Sequence, residues 1–124
     1  MLSLSRDAII LSMTPKAKER LEQAKKQLRL ISKRIEANYK PEKIILFGSI
    51  AKENITDSSD IDLLIIKNTQ KDPWARLKEV DRLVDHNFPT DFLVYTPKEI
   101  KKELEEGNSF IEDALNNGKV IYEK

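Results

Sequence analysis

Apolar residues in the first third of the chain recur at alternating spacings of four and three: Ala17, Leu21, Ala24, Leu28, Ile31 and Ile35. That spacing gathers them into one stripe of a long amphipathic helix and leaves lysines and arginines on its wet side. Thr14 supplies a hydroxyl cap and Pro15 suits the first helical position, so the helix begins there. It ends at Tyr39-Lys40-Pro41, because the residue before a proline is pushed out of the helical region. The period then shortens. Lys43 to Phe47 (KIILF) reads as a short β-branched strand running into Gly48-Ser49. Asp60 to Ile66 (DIDLLII) reads as a second strand, and its continuous apolar end predicts burial on both faces. Asp72-Pro73 opens another helix with Leu77, Val80 and Val84 turned inward and a stop near Phe88-Pro89. Thr90 to Tyr95 (TDFLVY) is a third strand. Thr96-Pro97, with Glu99 three residues after Thr96, forms a capping box on a charged helix that ends at Gly107. Ser109 and Glu112 repeat the device for a last short helix stopped at Asn117-Gly118, where both glycines read as left-handed caps. Lys119 to Tyr122 reads as a final edge strand.

Strands and helices interleave, which predicts an α/β (α+β) fold: a mixed sheet flanked by helices, with a long N-terminal helix. No repeat, low-complexity tract or linker divides the chain, so residues 1–124 read as a single domain. Residues 1–13 stand apart as an N-terminal arm. Ile9, Ile10 and Leu11 lie within it, without the basic leader and cleavage pattern of a signal peptide. A loose arm, an oligomer contact and an over-extended start with Met13 as initiator are the readings open for it.

Composition narrows the function. The 22 Lys plus Arg nearly cancel the 21 Asp plus Glu, leaving a formal charge of +1. A dedicated nucleic-acid binder would show a basic excess, so direct nucleic-acid binding is not expected. With no cysteine, disulfides, thiolate catalysis and cysteine-based zinc sites are excluded. No apolar run approaches the roughly 20 residues of a membrane span. The chain reads as cytoplasmic.

Asp60 and Asp62 are two apart on a predicted strand, so both side chains leave one face. Their Cα atoms would stand about 6.6 Å apart. Two carboxylates facing one way repel each other unless positive charge sits between them. A divalent hard cation supplies it, since magnesium takes oxygen ligands from one or two carboxylates and completes its shell with phosphates and water. Gly48, at the end of KIILF, removes a Cβ from the path of a phosphate. Ser49 adds a hydroxyl donor, and the amides after it would open a short helix whose N-terminus favours anions. Taken alone, Asp-x-Asp is common in loops and Gly-Ser is an ordinary turn pair.

Together they are more specific. The stretch GSIAKENITDSSDIDLLII, Gly48 to Ile66, resembles the signature of the polymerase-beta-like nucleotidyltransferase superfamily, and most of all its small stand-alone members, the minimal nucleotidyltransferases. The Gly48 to Asp60 separation, Ala51, Ser59 and the run Asp60-Ile61-Asp62-Leu63 all fit. The resemblance implies that Gly48, Ser49, Lys52 and Ser59 hold the nucleotide. It implies that Asp60 and Asp62 bind magnesium, as two ions, and that a third carboxylate on a neighbouring strand completes the site. Asp91 in TDFLVY is placed for that role. AMP would pass from ATP to an acceptor hydroxyl. Small members of the family are commonly paired with a helical HEPN-domain toxin, so the resemblance also implies an antitoxin that adenylylates its partner.

Two departures stand out. The family often has arginine after Gly-Ser and an Arg-Gly pair further on, where this chain has Ile50, Lys52 and Glu53. Lys52 keeps a positive charge as a point rather than a planar fork, while Glu53 adds negative charge near the phosphates. They favour a second reading, a binding module that occludes its partner without turnover. A third reading, an adenylyltransferase of small molecules, needs an acceptor pocket that dimerisation of the chain would have to build. The P-loop and dinucleotide-binding motifs are absent. His86 reads as a helix-terminal or solvent residue. Trp74 reads as packing at the core or its edge, with adenine stacking as the other reading.

Overall fold

The computed structural model describes residues 12–124. The apolar triplet Ile9 to Leu11 lies outside them. Helix α1 spans Pro15–Asn38, and Thr14 caps it by accepting a hydrogen bond from the Ala17 amide at 3.1 Å. Its buried stripe is Ala17, Leu21, Ala24, Ile31, Ser32 and Ile35, as the spacing predicts, with Leu28 half-buried. Then follow β1 (Lys43–Phe47), the one-turn helix α2 (Gly48–Ala51), β2 (Ile61–Ile66), α3 (Pro73–Asp81) and β3 (Thr90–Tyr95). The chain closes with α4 (Pro97–Glu105), α5 (Ser109–Asn117) and β4 (Lys119–Glu123). Among the described residues no helix is long and apolar enough to cross a membrane.

The four strands form one mixed sheet in the order β3-β2-β1-β4. β1 is antiparallel to both neighbours, whereas β2 and β3 are parallel. A parallel pair needs a crossover, and α3 provides it. Because side chains alternate along a strand, the sheet separates two cores. Ile44, Leu46, Ile61, Leu63, Ile65 and Val94 face α1 and Val80 of α3. Ile45, Leu64, Ile66, Leu93 and Tyr95 face Ile100 of α4 and Ile111 and Ala114 of α5. β2 is therefore buried on both faces, as its apolar run predicts.

Four local expectations are corrected. The third helix stops at Asp81 rather than near Phe88: Leu83 and Val84 donate to Val80 and Asp81 in tight turns, and His86 is left-handed at φ +53. Asn108, not Ser109, caps α5, its side chain accepting from Phe110 and Ile111. Gly118 is extended rather than left-handed. A Cβ there would lie 2.3 Å from the Ala114 carbonyl and 2.7 Å from Ile45, so glycine is required by crowding between α5 and β1. Trp74 is 65% exposed and belongs to neither core.

The capping box of α4 carries a buried cation. Arg76 donates to Glu99 at 2.6 Å, to the Lys71 carbonyl at 2.7 Å and to the Val94 carbonyl at 3.4 Å. Burial pushes the Glu99 carboxyl up, but the Thr96 amide and Arg76 outweigh it and hold it below the usual range. A carboxyl depressed on folding stabilises the fold above its unfolded pKa, and that contribution is lost as pH falls through the folded value. Glu99→Ala strands the Arg76 charge. We expect it to cost about 2 kcal/mol in urea unfolding at pH 7, less than for a fully buried pair because Glu99 is partly exposed, and less still below pH 4.

Candidate active site

The end of β1 meets the starts of β2 and β3 at one edge of the α4/α5 face, and there the apolar alternation gives way to acids. Asp62 continues the row of Leu64 and Ile66 on β2, and Asp91 continues the row of Leu93 and Tyr95 on β3. The two are direct partners in the parallel register, and Phe47 of β1 lies opposite Asp62 on the other side. Asp62 is pushed up to about 6, by burial first, then by the charges of Asp91 and Asp60, and last by hydrogen bonding of its protonated form with Asp91. Two carboxyls hydrogen-bond only while one of them keeps a proton, and once both are ionised a cation would have to hold them together.

Gly48 makes this possible. Its φ is +78, and a Cβ on it would stand 2.2 Å from Asp62 Oδ2. The volume that a side chain would take at the end of β1 is thus filled by the Asp62 carboxylate. Gly48 also opens α2, whose N-cap, Phe47, has no side-chain acceptor to offer the first turn. Ser49 stands half-buried in that turn.

Asp60 lies one residue before β2 and is half-exposed. Its turn is built by Ser59, which is buried and whose hydroxyl accepts from the Thr56 amide at 2.9 Å. From α1, Arg20 donates to the Ser59 carbonyl at 2.7 Å and to Asp60 Oδ1 at 3.2 Å, with its guanidinium 4.2 Å from the Phe88 ring centroid. Sequence reasoning missed Arg20. It flanks the apolar stripe of α1 one residue before Leu21, 40 residues from Asp60, and nothing local distinguishes it from the chain's other basic residues.

The structure therefore brings Gly48, Asp62 and Asp91 together, with Asp60 near enough for its charge to act on Asp62. Among the described residues, no three His, Asp or Glu side chains are grouped closely enough to hold a metal ion as they stand. Lys52 extends to α5 and pairs with Asp113 at 3.1 Å. Ile50 is buried in the core, so no charge is missing from the acidic edge on its account. Glu53 has φ +59 and pairs with Lys119 at 3.5 Å. A left-handed residue at this position accounts for glycine as the frequent choice, and glutamate there carries about 1 kcal/mol of backbone strain. His86 is exposed and pairs with Asp81 at 3.1 Å.

Beside Asp91 opens a groove of about 330 Å³ lined by Trp74, Leu77, Lys78, Asp81, Thr90 and Phe92. A separate apolar cavity of about 210 Å³, between α1 and the β1/β4 edge, is lined by Leu21, Leu28, Leu46, Ile50 and Ile121 and by none of the three aspartates.

Residues 29–124 match the family described as polymerase beta, nucleotidyltransferase. A crystal structure from Sulfolobus solfataricus, of a protein described provisionally as a nucleotidyltransferase, is similar over 92% of this chain and 93% of that one, with a TM-score of 0.68 at 20% identity. At that identity the likeness is one of fold. No curated protein matches the chain.

Proposed function

The chain belongs to the polymerase beta nucleotidyltransferase family, and from that premise we propose that it transfers AMP from ATP to a hydroxyl of a partner protein, using magnesium. One observation carries this reading: Asp62, whose carboxylate fills the space that Gly48 clears, is the direct cross-strand partner of Asp91. Burial and like charge both work against ionising Asp62, and a bound cation would relieve both. The donor set fits magnesium, which takes hard carboxylate oxygens. Asp62, Asp91 and Asp60 would hold it. The bound ion would neutralise charge on the phosphates and acidify the acceptor hydroxyl.

The chain's own residues then divide the work. Gly48 and Ser49 receive the β- and γ-phosphates at the first turn of α2, and these depart as pyrophosphate when the acceptor oxygen bonds the α-phosphorus. Asp91, exposed and beside the groove, is placed to accept the acceptor's proton at a carboxylate oxygen. The groove gives the acceptor an apolar wall in Trp74, Leu77 and Phe92. Lys52 and Ser59, both engaged elsewhere, would act on the nucleotide only by shifting, and Ser59 serves chiefly the turn that presents Asp60. The acceptor we propose is a helical HEPN-domain toxin met in the cytoplasm, modified on a hydroxyl near its RNA-cleaving site. An adenylyl phosphate there repels the RNA backbone.

The test is mass spectrometry of a neighbouring HEPN protein after incubation with this chain, ATP and magnesium. A gain of one or more adenylyl groups that Asp62→Asn abolishes is expected. If the partner is restrained in cells equally by wild type and Asp62→Asn, the occluding module replaces the enzyme. Label appearing only on a free small molecule would favour the small-molecule adenylyltransferase.

For the phosphate grip, Ser49→Ala should weaken ATP binding by about 1–2 kcal/mol, the range for a hydrogen bond to a charged group. Calorimetric titration with ATP and magnesium checks it, and an unchanged affinity would leave Ser49 as a turn residue only.

A further inference from the structure

We propose that Arg20 competes with the divalent cation for Asp60 and so sets how readily the acidic edge takes up metal. The inference rests on the metal-binding role given above to the aspartates. Arg20 stands before residue 29, outside the span of the chain that matches the family. It reaches the site from α1, on the opposite face of the sheet from Asp62 and Asp91.

The geometry is that of an exchangeable contact. Arg20 has three partners, and two of them do not involve Asp60. Its Nε bond to the Ser59 carbonyl is short at 2.7 Å, and its guanidinium rests on Phe88 at 4.2 Å. These fix the side chain whether or not Asp60 stays. The Asp60 contact is the longer of its two hydrogen bonds, one nitrogen to one oxygen at 3.2 Å, rather than a bidentate fork. A single charge-assisted bond of that length is weaker than a paired one. The side chain of Asp60 is 44% exposed and that of Arg20 is 20% exposed, so parting them strands neither charge out of reach of water.

The contact matters because of what it does to three neighbouring carboxylates. A guanidinium on Asp60 cancels one negative charge without entering the Asp62–Asp91 pair. Held so, Asp60 does not close with the other two into a three-ligand group. When a cation draws Asp60 in, Arg20 keeps Ser59 and Phe88, and the turn stays in place. Arg20 is thus a positioning residue that costs the site cation affinity in return for a folded, charge-balanced edge.

The proposal is tested by counting free Mn²⁺ from its electron paramagnetic resonance signal, in the absence of nucleotide, as the full chain is titrated. Arg20→Gln should bind Mn²⁺ about five- to tenfold more tightly than wild type while its metal-free form melts lower. Arg20→Lys, which keeps a charge but cannot fork between Ser59 and Asp60, should fall between them. On an Asp60→Asn background, Arg20→Gln should leave Mn²⁺ affinity unchanged. Equal or weaker binding by both Arg20 variants overturns the competition and leaves Arg20 as a brace for the turn. If wild type and variants bind no Mn²⁺ at all, the metal reading of the aspartates falls, and this inference with it.

Discussion

Asp62→Asn is expected to lower nucleotide transfer by at least about a hundredfold, the scale of losing one organised electrostatic partner, and yet to melt higher than wild type at neutral pH. The two effects have one cause. Asp62 is raised to about 6 by burial and by its acidic neighbours. An acid raised on folding contributes stability that is fully present below its unfolded pKa, near 3.8, and lost as pH rises through 6. Above pH 6 wild type therefore carries an ionised group that the fold resists, and asparagine does not. Because Asp62 is only half-buried, water screens the penalty, and we expect a gain of about 1 kcal/mol, or about 4 °C in Tm. Below pH 4 both side chains are neutral and the gain should vanish. Melting curves at pH 4 and pH 7.5, beside a transfer assay, check both halves. Normal turnover in the variant would remove Asp62 from the chemistry, and a lower Tm at pH 7.5 would show that its carboxylate is a structural partner instead.

Gly48→Ala should harm the protein through geometry alone. The new Cβ would overlap Asp62 Oδ2 at 2.2 Å, and φ at +78 is a region that L side chains rarely adopt. The backbone strain costs about 1–2 kcal/mol, and displacing Asp62 adds about 1 kcal/mol more. We expect a total loss near 2–3 kcal/mol and no detectable transfer. The collision part depends on a single neighbour. In a Gly48→Ala, Asp62→Ala double variant about 1 kcal/mol should therefore return, while the strain remains. Strict additivity in denaturant unfolding would mean that the two residues do not share this space, and the assignment of Gly48 as the residue that seats Asp62 would be wrong.

Much of this was legible in the residues themselves. The stripe of α1, its Thr14 cap and the Thr96–Glu99 box follow from local chemistry, and the structure has them where the spacing puts them. The family resemblance implies Asp91 on a strand next to Asp62, but their direct register is not readable: residues 29 apart become cross-strand partners only through the parallel pairing that α3 enforces. At Gly48 the need for a missing Cβ is readable in the sequence, but not that Asp62 takes its place. Gly118 looked like a cap because it follows a helix, whereas crowding by Ala114 and Ile45 decides it. Arg20 left no trace at all, since its partners are a carbonyl, a carboxylate and a ring scattered over the remainder of the chain. Periodicity reports which face is buried. It cannot report which distant group an exposed charge will find.

The exposed indole beside Asp91 has a practical consequence. Trp74 is the chain's one tryptophan, 65% exposed, with the Lys78 ammonium 5.2 Å from its ring centroid. Light emitted on excitation at the red edge of protein absorption therefore comes from a single ring at the mouth of one groove. In the folded chain that ring sits in water, so its emission should already resemble that of the unfolded chain, and denaturation will scarcely change its colour. Covering the groove will change it, because an apolar surface pressed on the ring removes water from around it. A partner that docks beside Asp91 can thus be followed by a shift to shorter wavelength with no label attached.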